Sequence, residues 1–125
     1  MKFMLLIYND STMLDALPSA QFDATMRSCL EHADELRQEG RLLDSQMLAK
    51  ASTAKSVRIR KNQTTILDGP FTETKELLAG FNLIEAESME EAVRIAQQFP
   101  WARTGCVEVR PVVDIGAVRE RVGAA

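Results

Sequence analysis

The run Asp68-Gly69-Pro70-Phe71-Thr72-Glu73-Thr74-Lys75-Glu76 concentrates more chemistry than any other segment of the chain. Glu73, Lys75 and Glu76 set two carboxylates and an ammonium beside the hydroxyls of Thr72 and Thr74, a mixture able to bind a ligand or shuttle protons in a cleft. A solvated helical turn would carry the same residues. Ahead of them, Asp68 can accept a hydrogen bond from a backbone N–H two residues on, Gly69 permits positive φ, and Pro70 fixes φ and removes a donor. The chain is therefore expected to turn sharply, with Phe71 plugging the turn. Turn chemistry accounts for Asp-Gly-Pro but demands neither Glu73 nor Lys75. That surplus marks Asp68, Glu73 and Lys75 as candidate lining of a polar cleft.

Other candidates are scattered. Cys106, Glu108 and Arg110 alternate with Val107 and Val109, so if the valines face a core, Glu108 and Arg110 face the other side of a strand. Arg110 has the geometry to bind a carboxylate or phosphate bidentately, with Glu108 orienting it or exchanging a proton. A cross-strand ion pair that fixes register is the alternative. Tyr8 can add a phenolic donor to the same face, or simply pack. His32 is the only histidine, about 90° from the centre of an apolar helical stripe, with Ser28 and Glu35 on its side. Paired with Glu35 in a cleft it could act as a general base; on a surface it makes an ordinary helical ion pair. No metal or cofactor is implied, since one His and two separated Cys supply no conventional zinc set. No Gly-x-Ser-x-Gly elbow, Walker loop or dinucleotide fingerprint is present.

These residues must be positioned by a single domain: 125 residues at 46% hydrophobic composition leave no room for a second. A net charge of −3 with basic residues spread along the chain gives no electrostatic footprint for nucleic acid. The absence of a long apolar run predicts no membrane span, no signal peptide and a cytoplasmic protein. Cys29 and Cys106 read as small hydrophobes in a reducing compartment.

Periodicity supplies the elements. Residues 2–8 alternate Phe3, Leu5 and Ile7 with Met4, Leu6 and Tyr8, so both faces of this strand are apolar and it should be central. After Pro18, the residues Phe22, Met26, Cys29, Ala33 and Leu36 recur at helical spacing up to Gly40. Residues 41–48 read as a strand. Val57 and Ile59 alternate with Arg58 and Arg60, and Lys61-Asn62-Gln63 turns the chain toward residues 64–67, giving a hairpin with an exposed edge. Residues 80–85 form another strand, Ser88-Met89-Glu90-Glu91 a capping box, Ala92 to Phe99 a helix ended by Pro100, and residues 105–113 the last strand. Residues 116–125 are a short extension, one helical turn or an arm on a partner.

The order β-α-β, hairpin, β-α-β is a split βαβ arrangement of the α+β class, with two helices on one sheet face. The opposite face stays open, and a symmetric partner sheet is the simplest cover; the hairpin folded over as a lid is the runner-up.

Together with Met1-Lys2-Phe3-Met4-Leu5-Leu6-Ile7-Tyr8 and Val107-Glu108-Val109-Arg110-Pro111, the Asp68 motif resembles the DGPF branch of the YCII-related family over nearly the whole chain. The resemblance implies one domain over residues 1–125, a ferredoxin-like protomer with an inserted hairpin, and a homodimeric α/β barrel. Most members of the family lack an assigned activity; some resemble partners of extracytoplasmic-function sigma factors, and a few are small-molecule enzymes with a His/Asp pair. Registered on residues 39–43, the family histidine falls near Cys29 and the aspartate at Phe99, with His32 one turn away. The expectation is a small anionic metabolite bound in an inter-subunit cleft, lined by Asp68, Glu73, Lys75, Glu108, Arg110 and Tyr8. Two alternatives stand beside it. One is lyase, isomerase or dehalogenase chemistry with Glu73 or His32 as base and Lys75 or Arg110 as oxyanion stabiliser. The other is a regulatory partner of a sigma factor.

Overall fold

The computed structural model describes residues 1–72 and 74–124. Its first strand, β1 (Lys2–Asp10), has the burial that two apolar faces demand: Phe3, Leu5 and Ile7 are sealed while Met4, Leu6 and Tyr8 stay half-buried. A short helix α1 (Ser11–Asp15) follows, then α2 (Ser19–Gln38), β2 (Leu42–Met47), β3 (Lys55–Arg60), β4 (Gln63–Asp68), β5 (Glu76–Glu85), α3 (Met89–Gln97), β6 (Gly105–Pro111) and α4 (Ile115–Val122).

Four strands form one antiparallel sheet in the order β2-β5-β1-β6, and β1 is central in it because both its faces are apolar. This is the mixed α/β arrangement of a ferredoxin-like fold. Pro18, with its extended ψ of 145, serves as N-cap of α2, whose Cys29, Ala33 and Leu36 point at the sheet. Ser88 caps α3 by accepting from the Glu91 N–H at 3.1 Å. The reciprocal half of the box gives way to an ion pair, because the Glu91 carboxylate turns to Arg41 at 3.6 Å. Helices and sheet enclose Phe3, Leu5, Ile84 and Phe99, the most completely buried large side chains. Each is worth about 1.5–3 kcal/mol of apolar burial, so truncation of Leu5 to Ala would cost about 2–5 kcal/mol.

β3 and β4 pair only with each other, through a tight turn in which Lys61 and Asn62 both take positive φ. Their root is tied: the Gly69 N–H donates to the Ala54 carbonyl at 2.7 Å, the Ser56 hydroxyl donates to the Gly69 carbonyl at 2.9 Å, and Lys55 pairs with Asp68 across the strands. Gly69 takes φ +92, as the turn requires. Two expectations for this turn fail. Asp68 makes no bond to a backbone N–H two residues on, because that residue is Pro70 and has none; its carboxylate goes to Lys55. Phe71 does not plug the turn either. It is 73% exposed, with the Arg58 guanidinium 5.2 Å above its ring, so a cation–π contact takes the place of core packing.

Strand β5 starts at Glu76, four residues before the expected Gly80, so the last residue of the motif already belongs to the sheet. The hairpin does not act as a lid, since Val57, Ile59 and Ile66 are themselves exposed. The C-terminal extension is a two-turn helix, capped by the Asp114 carboxylate accepting from Gly116 N–H and stopped by Gly123 in the left-handed region. No helix among the described residues is long and apolar enough to cross a membrane.

Candidate functional site

The strands dictate which side chains meet on the helix-free face. Along β6, Val107 and Val109 pack on the core, so Cys106, Glu108 and Arg110 emerge on the opposite side. The β1–β6 register sets Tyr8 opposite Cys106, Leu6 opposite Glu108 and Met4 opposite Arg110. In the β1–β5 register Leu6 meets Phe81 and Met4 meets Leu83. The face thus has a polar row on β6 beside a half-buried apolar floor of Met4, Leu6, Phe81 and Leu83. Gly105 is required at the start of β6, because a Cβ there would run into the carbonyl oxygen of Tyr8.

Three residues of the row are coupled. The Arg110 guanidinium donates from Nε to Glu108 Oε2 at 2.7 Å, and the Tyr8 phenol stands near enough to the same carboxylate to feel its charge. Burial first, and the adjacent Glu108 charge second, push the Tyr8 phenol above its ordinary value; the Arg110 charge opposes them. The hydrogen bond and charge of Glu108 in turn raise Arg110. The phenol therefore keeps its proton at neutral pH, and Glu108 holds Arg110 in place. Nε of the guanidinium is engaged, which leaves its terminal nitrogens to grip an anion.

At the end of β1 lies a second polar group. The Asp10 carboxylate, 4% exposed, caps α1 by accepting from the N–H of Thr12 at 2.9 Å and of Met13 at 3.4 Å, and Lys75 stands 3.7 Å away. Asp10 was absent from the sequence-derived candidates. The signal was its position between an apolar strand and Ser11-Thr12, the place of an N-cap.

The remaining candidates separate. Lys75 reaches Asp10 and not Arg110. Asp68 is an exposed partner of Lys55 at the hairpin root. Glu73 lies outside the described residues. His32 sits on the helix side of the sheet, its ring 4.7 Å from that of Phe99 and its Nε2 buried without a hydrogen-bond partner, Glu35 included. It borders a shallow cleft of about 490 Å³ with Ser28, Glu31, Glu35 and Gln98. Of the two cysteines, Cys29 is buried and accepts the Trp101 indole N–H at 3.1 Å, whereas Cys106 is exposed, against the expectation that both are small buried hydrophobes. An edge strand that turns its valines inward leaves the intervening cysteine outside. Among the described residues no group of three His, Cys, Asp or Glu side chains is placed to hold a metal ion.

The profile of the YCII-related domain matches residues 1–116. An uncharacterized protein of Rhizobium meliloti (strain 1021) is 33% identical over 114 residues, covering 90% of this chain and 92% of that protein. Among solved structures, the 5-chloro-2-hydroxyhydroquinone dehydrochlorinase TftG of Burkholderia phenoliruptrix AC1100, in complex with 2,5-dihydroxybenzoquinone, superposes with a TM-score of 0.55 at 16% identity. The match covers 90% of this chain and 94% of that one. At that identity the likeness shows the fold alone.

Proposed function

The chain belongs to the YCII-related family, and from that premise we propose that it is a homodimer of the DGPF branch that binds a small anionic metabolite against the open face of its sheet. The dimer, an α/β barrel with β3 and β4 as the inserted hairpin, covers the apolar floor that one protomer leaves unpartnered. Arg110 anchors the anion, Glu108 holds the guanidinium in its plane, and the Tyr8 phenol closes the side of the site toward β1. One observation carries this reading: the Glu108–Arg110 pair, with the Tyr8 phenol beside it, stands at the margin of a half-buried apolar surface, and the pairing through Nε leaves the terminal guanidinium nitrogens to meet a ligand.

Acid–base catalysis by the same trio is the second reading, favoured by the raised phenol of Tyr8, which stays protonated and able to donate. In that chemistry Glu108 takes a proton and Arg110 steadies developing oxyanion charge.

Thermal-shift and calorimetric titrations with phosphate, small dicarboxylates and benzoate test the binding reading. At least one of these anions should raise the melting temperature of the wild type, and Arg110→Ala should abolish that shift while its own melting temperature stays within about 3 °C, as expected of an exposed polar substitution. If no anion shifts the wild type at millimolar concentration, or if Arg110→Ala responds equally, the site is not an anion site.

A further inference from the structure

The hairpin of β3 and β4 is ordered at its root yet packs almost nothing. On one of its faces Val57, Ile59 and Ile66 lie together, Val57 directly opposite Ile66, and they are 66%, 59% and 65% exposed. A two-stranded hairpin is at best marginally stable in water unless an apolar face is covered. Here the root bonds hold the strands out from the body, and none of the described residues covers that face.

Charge separates the hairpin from the rest of the molecule as well. Residues 55–68, the two strands and their turn, contain Lys55, Arg58, Arg60 and Lys61 against the single carboxylate of Asp68, a net charge of +3; subtracting it from the net −3 leaves the rest of the chain at −6. On the open sheet face Asp44 lies opposite Leu83, and its carboxylate makes only local hydrogen bonds, to the Ser45 N–H and the Gln46 amide, with no cation within ion-pair distance among the described residues.

We propose that the hairpin is an arm that docks on a second copy of this chain. Its Val57–Ile59–Ile66 face lies on the open sheet face along β5 and β2 of that copy, closing the outer wall of the ligand cleft. The occupant is a second copy because that copy carries both missing complements: an uncovered apolar floor, and a body whose negative charge draws in a cationic arm. Each protomer gives an arm and receives one, as two-fold symmetry requires. This inference rests on the homodimer proposed above and adds that the cleft is incomplete without the partner's arm.

Sedimentation velocity from nanomolar to micromolar concentration separates the two ideas. The variant Val57→Ser/Ile59→Ser/Ile66→Ser alters only side chains exposed in the protomer, and its dimer dissociation constant should rise roughly 100-fold. A wild type that is monomeric at every concentration overturns both the arm and the dimer. A dimeric wild type whose triple variant dimerises within about threefold of it overturns the arm and leaves the dimer standing. Should the triple variant fail to fold, a photoreactive benzophenone side chain at position 59 decides. In dimers mixed from light and heavy isotope chains it should cross-link to β2 or β5 peptides of the other chain, and products confined to its own chain, or none, overturn the proposal.

Discussion

Lys75 holds its ammonium 3.7 Å from Oδ2 of Asp10, a carboxylate whose Oδ1 accepts from the backbone N–H of Thr12 and Met13. The two partners contribute unequally. Asp10 is buried and caps a helix, whereas Lys75 is 78% exposed at its side chain and its attraction is screened. Asp10→Ala should therefore cost about 1–2 kcal/mol, and Lys75→Ala about 0.5 kcal/mol or less. Denaturant unfolding of the two variants checks this. Equal losses would mean that the ion pair, and not the cap, fixes the end of β1.

Burial raises the Cys29 thiol above its ordinary range, against the smaller opposing effect of the Trp101 indole bond. Its reactive thiolate is correspondingly scarce at neutral pH. Cys106, exposed on β6, should alkylate readily in the native protein, and Cys29 only after unfolding; mass spectrometry of labelled peptides reads both. Cys29→Ala would leave the only tryptophan with an unpaired buried N–H, at a cost of about 1–3 kcal/mol. Native labelling of Cys29 at the rate of Cys106 would contradict the burial.

Much of this fold can be read from periodicity. The doubly apolar β1, the stripe of α2, the Ser88 cap and the inward valines of β6 all follow from where apolar side chains recur, since one-sided burial leaves that imprint. The facing of Glu108 and Arg110 followed from the same alternation. Local rules misled where long-range partners decide. Phe71 has the composition of a core residue but meets Arg58, and Glu76 to Ala79 extend because β1 offers them a ladder. The Trp101–Cys29 bond joins residues 72 positions apart, so no window of sequence contains it. Asp10 was hidden differently, being the last residue of one element and the cap of the next.

Tyr8 is the only tyrosine, so tyrosinate absorbance reports it alone. Its titration midpoint should lie above the ordinary 10.0. Glu108→Gln should lower that midpoint without returning it fully, because burial is the larger cause. The folded phenol binds its proton more tightly than the unfolded one, so Tyr8 contributes stability that is complete below the unfolded value and is lost as pH rises through the folded value. Urea midpoints measured across the alkaline range should fall faster for wild type than for Tyr8→Phe. A midpoint at or below 10.0 would show that the phenol is neither desolvated nor under the influence of the Glu108 charge.

Gly69 and Gly105 make opposite demands on the chain, and alanine at each should separate them. Around Gly69 there is open space, so a methyl meets nothing and only the φ of +92 resists it, a cost of about 1–2 kcal/mol. At Gly105 the backbone is unremarkable, but a methyl would collide with the Tyr8 carbonyl and crowd Asn9, backbone atoms that cannot rotate away. β6 would have to lift from β1 where Tyr8 faces Cys106, costing about 3 kcal/mol or more and moving Glu108 and Arg110 off the phenol. Gly105→Ala should thus lower the melting temperature well beyond Gly69→Ala, return the Tyr8 titration toward its ordinary value and abolish any anion-induced thermal shift. Gly69→Ala should leave the titration and the shift intact. If Gly105→Ala melts within about 1 °C of the wild type, the strands are not in contact there, and the site that depends on their register has no basis.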